Sequence, residues 1–218
     1  SGMYVSGRQT DNYGTILPSI IEYQRENNLI SSLKIVGTNV KRANDAKKKY
    51  NELSAKTGIK LPISFFPRKH DNIYEYRKII EKLNHPSCII VAVPDHLHFE
   101  ILKYAINHKH HVLVVKPLTP TLKEGKKLIQ LSKKMGVYTA VEFHKRWDKQ
   151  NRILKDLYNN GKLGIPLYSW TEYSQKKSIP TKIFKTWVEN NNILQYLGVH
   201  YIDIVRFVTN SVPKRVMA

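Results

Sequence analysis

The sequence predicts an α/β fold: a doubly wound parallel sheet over residues 1–143, then a second, apparently truncated α/β (α+β) domain over 144–218. Three observations predict it. Short apolar runs recur at residues 33–36, 63–66, 88–93 and 112–115, the length of buried strands in a parallel sheet. Between them lie stretches whose apolar residues recur at helical spacing. Beyond Phe143 this alternation stops. Strands and helices in strict alternation bury best as a parallel sheet with helices on its faces.

Taken in order, residues 3–6 read as the end of a first strand. Gly7 to Gly14 follows, then Ile16, Leu17, Ile20 and Ile21 at helical spacing. Strand, glycine-rich turn and helix form the setting of a phosphate-binding turn. Glycine permits close backbone approach, and the helix N-terminus faces the anion. Gly7, Arg8, Gln9, Thr10 and Gly14 are the candidate contacts. The spacing is not G-x-G-x-x-G, and an ordinary strand–helix turn accounts for it equally well.

Residues 33–36 form the second strand. The next helix carries Ala43, Ala46, Tyr50 and Leu53 on one face and stops at Gly58. In a dinucleotide-binding fold the end of this strand meets the adenosine ribose, where an acidic side chain favours NAD. Here stand Asn39, Lys41 and Arg42, two cations and no carboxylate. That fits a 2′-phosphate, and so NADP(H) in preference to NAD(H); a basic helical turn facing water fits as well.

Residues 63–66 are a third strand, and 73–83 a helix with Ile73, Tyr76, Ile80 and Leu83 inward. Residues 88–93 are a fourth strand with Cys88 as a buried thiol, running into Pro94, Asp95 and His98. The following helix carries Ile101, Leu102 and Ala105. The fifth strand, Val112 to Val115, is apolar throughout and expected to be buried on both faces. Pro117 has no N–H and ends it. Lys116 therefore sits at the carboxyl end of a buried strand, the edge where open α/β sheets bind ligands; a lysine turned out to solvent is the alternative. Thr119 or Thr121 caps a helix closed by Gly136, and residues 137–143 are a sixth strand. The loops at 7–14, 39–42, 94–98 and 116–117 each follow a strand, so one parallel sheet gathers them on one edge. Beyond it come a helix through Ile153, Leu154 and Leu157, a half-exposed strand at 167–173, an apolar helix at 193–208 and a strand from 212.

A net charge of +19 raises the question of nucleic acid. The lysines are scattered along helices, with no arginine-rich block, zinc finger or aromatic RNA-binding motif, so attraction to anionic cofactors and substrates is the simpler reading. No apolar run approaches the ~18 residues that span a bilayer, and no secretory signal pattern opens the chain. With Cys88 as the single cysteine, no intrachain disulfide forms, which suits the cytoplasm. The histidines at 96, 98, 108, 110 and 111 lack Cys or carboxylate partners at ligand spacing, so no metal is expected.

Four segments carry a resemblance: Ile90-Val-Ala-Val-Pro-Asp-His-Leu-His98, His111-Val-Leu-Val-Val-Lys-Pro-Leu118, Glu142-Phe-His-Lys-Arg-Trp-Asp148 and Gly198-Val-His-Tyr-Ile-Asp203. Their order and spacing resemble the Gfo/Idh/MocA oxidoreductases. The resemblance implies an N-terminal Rossmann domain and a C-terminal α/β domain whose sheet carries substrate and forms homo-oligomers. It implies hydride transfer between NAD(P) and a sugar, sugar nucleotide or polyol. It places Pro94, Asp95 and His98 at the nicotinamide, Arg146 near the cofactor, and Lys116 as the lysine of the family's Glu-Lys-Pro motif. His200 matches the histidine of an Asp-x-x-x-His pair. The motif glutamate is Val115 here, the paired aspartate is Tyr196, and the glycine loop is irregular.

Oxidising a secondary alcohol needs a base for the hydroxyl proton. With ordinary pKa values of ~6.5 and ~10.4, His200 is the expected base and Lys116 a fixed charge stabilising the alkoxide. Tyr196, one helical turn before His200, shares its face and can donate to substrate or orient His200. The rival reading is a catalytically silent NADP-binding sensor or scaffold.

Overall fold

The computed structural model describes residues 2–7, 10–174, 176–183 and 192–217. Internal contacts divide the chain into two units, Ser1–Ser87 and Cys88–Ala218, whereas the sequence pattern changes after 143.

In the first unit the expected opening strand is instead a short helix, α1 (Gly2–Ser6), packed on α2 (Ile16–Asn27) and α3 (Val40–Thr57). Three apolar side chains in a row are too few for a strand that must pair on both sides. The consequence is topological. In a doubly wound sheet the first strand joins the two halves; here the hydrogen-bonded strands fall into two separate sheets. β1 (Leu33–Val36) pairs in parallel with β2 (Ile63–Phe66), from Leu33 opposite Ile63 to Val36 opposite Phe66. Leu17, Ile21, Tyr50, Leu53 and Leu61 form the core of this unit. The face of α3 is as the sequence predicts, with Ala43, Ala46, Tyr50 and Leu53 buried and Gly58 closing the helix at φ +72°. α4 (Glu75–Glu81) is shorter than expected, and Ile73 precedes it, 64% exposed rather than inward.

The second unit holds β3 (Cys88–Val91), β4 (His111–Val115) and β5 (Thr139–Glu142), all parallel in that order. α5 (His98–Asn107) packs on β3, β4 and α6 (Leu122–Met135). Val91, Leu102, Ala105, Ile106, Val112, Val114, Leu128 and Val208 are its buried apolar residues among those described. β4 is not buried on both faces. Val112 and Val114 are sealed, while His111, Leu113 and Val115 are half-buried, and Ile90, opposite Leu113, is 40% exposed. Cys88, on that more open face, is exposed rather than buried. Of the two threonines proposed as caps, Thr121 is the cap of α6. Its hydroxyl accepts from Glu124 N and donates to Glu124 Oε2.

Beyond β5 come α7 (Lys149–Asn159), as predicted, then a wide π-type turn (Leu194–Gly198) leading into α8 (Val199–Thr209). Residues 167–173 and 212–217 form no strand. Leu167, Tyr168 and Trp170 are each more than 85% exposed. Alternating sequence alone does not make a strand; the ladder needs a neighbour, and none of the described strands lies beside either segment.

Tyr50 closes the first core. Its buried hydroxyl accepts from Leu61 N at 2.7 Å and donates to Leu61 O at 3.2 Å. Tyr50→Phe strands both groups and is expected to cost about 1–3 kcal/mol, read from denaturant unfolding as a lower midpoint at unchanged slope.

Candidate active site

The site grows from the carboxyl edge of β3–β4–β5. Parallel pairing puts the residues after all three strands on one side. Asp95 lies in a 3-10 turn after β3, Lys116 follows β4, and Glu142 with His144 ends β5. Pro94 opens the 3-10 turn, whose Leu97 N–H bonds to the Pro94 carbonyl.

His98 braces this edge. It is fully buried, with Nδ1 2.8 Å from the Pro117 carbonyl and Nε2 3.0 Å from the Val93 carbonyl. It ties the segment after β3 to the segment after β4 and has no ring nitrogen left for a ligand.

The Lys116 amine is largely removed from water. It donates to the Tyr196 carbonyl and lies 4.3 Å from the centroid of the Tyr196 ring. Burial pushes its pKa down from 10.5 to about 8, and the carboxylates of Asp95 and Glu142 pull it partly back up.

His200 occupies the first turn of α8 and is 5% exposed. Its Nδ1 has no hydrogen-bond partner among the described residues. Burial, reinforced by Lys116, His144 and Lys145, depresses its pKa to about 3, and Asp203 opposes this only weakly. The imidazole is therefore neutral at physiological pH and a poor proton acceptor. The edge of His144 meets it at 4.5 Å between ring centroids. The expectation of a His200 base titrating near neutrality, with a permanently charged Lys116, is thus reversed by burial.

Arg146 does not stand free. Its Nε donates to Asp203 Oδ2 at 2.7 Å and its Nη2 to Oδ1 at 2.5 Å. Its guanidinium also lies over Phe143 and Phe207. Asp203, three residues after His200 on α8, is 6% exposed, so this fork fixes the helix that carries the histidine. Glu142, His144 and Asp203 fall within the segments that carry the family resemblance; their part in the site is visible only in the strand register and helix packing.

In the first unit, Gly7 and Gly14 have φ +72° and +75°, and a Cβ on Gly7 would strike the Asn12 backbone. Thr10 N and Oγ1 both donate to the Gly7 carbonyl, and Asn12 Oδ1 accepts from Gly14 N at 3.0 Å. Lys49, which the sequence pattern does not single out, donates to the Thr10 carbonyl at 3.2 Å. Arg8 and Gln9 lie outside the described residues. Asn39 caps α3, accepting from Arg42 N. The absence of a carboxylate at this turn is overturned. Asp71, distant in sequence, accepts from Asn39 Nδ2 at 2.5 Å and Val40 N at 2.8 Å. Lys41 and Arg42 are exposed.

Residues 18–143 match the oxidoreductase family with NAD-binding Rossmann fold designated GFO_IDH_MocA. The chain belongs to the Gfo/Idh/MocA family. Among curated relatives, glucose-6-phosphate 3-dehydrogenase of Bacillus subtilis is 28% identical over 142 residues, 62% of this chain and 40% of that protein. The NADP(+)-dependent scyllo-inositol 2-dehydrogenase IolW of the same organism is 29% identical over 116 residues, 53% of this chain and 32% of that one. The fold also matches levoglucosan dehydrogenase, solved with NADH and levoglucosan, at a TM-score of 0.58 and 21% identity, covering 80% of this chain and 44% of that one. In each case the match spans less than half of the relative. A Gfo/Idh/MocA chain calls for a nicotinamide dinucleotide, and the polar groups of each unit, taken by itself, are compatible with such a group. The first offers a glycine turn at a helix N-terminus beside a lysine. The second offers a buried imidazole nitrogen without a partner among the described residues and a half-buried amine at the end of β4.

The depressed pKa of His200 has a consequence for stability. The unfolded chain binds this proton near pH 6.5 and the folded chain only near 3. Between these values the unfolded state holds more protons, so His200 adds a loss of stability as pH falls through that window. Melting the wild type and His200→Asn at a series of pH values is expected to give a difference that grows from pH 6.5 downward. A difference independent of pH refutes the burial argument.

Proposed function

We propose that the chain is part of an NAD(P)-dependent oxidoreductase of the cytoplasm, acting on a hydroxyl or carbonyl of a sugar, sugar nucleotide or polyol. The single observation that carries the reading is the Lys116 amine at the carboxyl edge of the sheet, half-buried and donating to the Tyr196 carbonyl, in a unit that also holds the buried His200 nitrogen with no partner among the described residues. The sugar and polyol dehydrogenases among the relatives support the substrate class.

When bound, the nicotinamide accepts or supplies the hydride; the proton is the chain's business. In the oxidising direction the neutral Lys116 amine takes the hydroxyl proton, and in reduction the ammonium returns it. Near pH 8 both forms are populated, which suits general acid–base work. The Tyr196 carbonyl and ring hold the amine in place. His200, neutral, hydrogen-bonds the substrate oxygen and orients it. Asp95 and Pro94 shape the nicotinamide side of the edge, with His98 as its brace. Arg146 serves by locking α8 through Asp203. Gly7, Arg8, Gln9, Thr10 and Gly14 receive the phosphates. Self-association through the second domain belongs to the same reading.

The cofactor reading is NADP(H) in preference to NAD(H). Lys41 and Arg42 together outweigh the single Asp71 carboxylate, both of whose oxygens are engaged at the α3 N-terminus. One relative is NADP(+)-dependent. Fluorescence titration with both cofactors tests it: tighter NADP(H) binding is expected, weakened by Arg42→Ala. Equal or tighter NAD(H) binding refutes it.

Lys116→Ala is expected to lower turnover at least ~10²-fold with little change in cofactor affinity. In the wild type, alcohol oxidation is expected to rise with pH and level off above about 8, because the neutral amine is the active form. Steady-state rates across pH on sugars, sugar nucleotides and inositols check both. Cofactor binding without turnover on that panel favours the silent sensor instead.

A further inference from the structure

We infer that Asp71 is a specificity-determining residue for the cofactor: a carboxylate carried in from the loop after β2 stands at the turn after β1 and limits how tightly a 2′-phosphate binds there. The inference deepens the cofactor reading above and rests on its placing the adenosine ribose at that turn.

The family match that points to a dinucleotide, residues 18–143, covers both loops. Val36 ends β1, Gly37, Thr38 and Asn39 follow, and α3 begins at Val40, with no acid among them. In a dinucleotide-binding fold a carboxylate at this point accepts from the ribose hydroxyls, whereas a cation receives a 2′-phosphate. Here different segments supply the two. The cations, Lys41 and Arg42, stand on the first turn of α3. The carboxylate comes from the loop of the neighbouring strand. β1 and β2 are parallel with Val36 opposite Phe66, so the loops after them leave side by side. Gly37 N–H donates to the Phe66 carbonyl and Asn72 N–H to the Thr38 carbonyl, each at 2.9 Å. These two bonds staple one loop to the other and deliver Asp71 to the helix start. Its Oδ1 accepts from Val40 N at 2.8 Å and its Oδ2 from Asn39 Nδ2 at 2.5 Å. Asn39 Oδ1 in turn accepts from Arg42 N at 3.0 Å, which holds Asn39 between the acid and the helix.

Both hydrogen bonds to Asp71 come from neutral donors, so its negative charge is not cancelled. Asp71 is exposed and forms no ion pair among the described residues; Lys41 and Arg42 are exposed and form none either. A 2′-phosphate brings further negative charge to this turn and is repelled by the carboxylate. A ribose hydroxyl carries no charge and can donate to a carboxylate lone pair. The margin between the two cofactors is therefore what the two cations give less what Asp71 takes away.

The full chain is titrated with NADPH and NADH, and with their adenosine ends, 2′,5′-ADP and 5′-AMP. Asp71→Asn keeps an oxygen for Val40 N–H and removes the charge. It is expected to tighten NADPH relative to NADH by at least about fivefold, with the same shift for 2′,5′-ADP relative to 5′-AMP. Asp71→Glu, which keeps the charge, is expected to leave the ratio near that of the wild type. Added salt screens exposed charges and is expected to shrink the Asp71→Asn shift. An unmoved ratio in Asp71→Asn, or a shift toward NADH, overturns the inference. So does an equal shift in Asp71→Glu, or one that salt does not shrink, because either marks lost loop geometry rather than lost charge. If Asp71→Asn does not fold, Asp71→Ser, whose hydroxyl still accepts from Val40 N–H, gives the same readout. The failures are distinguishable. A wild type that binds none of the four overturns the dinucleotide reading and this inference with it. A wild type that prefers NADH, with the shift present, overturns the NADP(H) preference alone.

Discussion

A half-buried amine at the end of β4 is the constraint on which the second unit turns. Burial makes the ammonium costly, and the surrounding groups follow from that cost. Two carboxylates, from the ends of the two flanking strands, bring part of the charge back. A backbone carbonyl and the ring of Tyr196 take up the amine's hydrogen bonding and its residual charge. The cation in turn helps keep His200 neutral. Of these two groups only the lysine, brought down to about 8, comes near the range in which acid–base chemistry close to neutrality works.

That edge is held by bonds that do no chemistry. His98 spends both ring nitrogens on the carbonyls that follow two strands. Arg146 and Asp203 form a two-point fork that fixes α8 against the 3-10 turn after β5. A resemblance to known enzymes assigns His98 and Arg146 to the cofactor. In this chain each is engaged by the protein, and its effect reaches the site through the segments it secures.

The first unit shows the same principle with opposite charge. A chain with a net charge of +19 has cations to spare near any anion site. The N-terminus of α3 is nonetheless closed by an internal carboxylate, Asp71, working with Asn39. Helix termini accept whichever negative group the fold brings close, so the local balance at this turn differs from the global one.

Much was legible without coordinates. The helical faces of α2 and α3, the extent of α7, a threonine cap at 119 or 121, and glycine stops at 58 and 136 are local matters, settled by periodicity and by the φ values each residue tolerates. The end of β4 at Lys116 follows from an apolar run meeting a proline. What sequence alone could not decide required a partner distant along the chain. Residues 3–6, 167–173 and 212–217 carry strand-like patterns, but a strand exists only where another backbone completes its ladder. Cys88 reads as buried by composition and is exposed because one face of its sheet is more open. Asp71 beside Asn39 and Glu142 opposite Val115 are tertiary facts, 32 and 27 residues apart in the chain. The pKa values of Lys116 and His200 belong to the same class: the sequence by itself determined which groups can titrate and on which strand or helix they stand, while burial and neighbouring charge, which exist only in the folded chain, decided that the lysine and not the histidine is the group poised near neutrality.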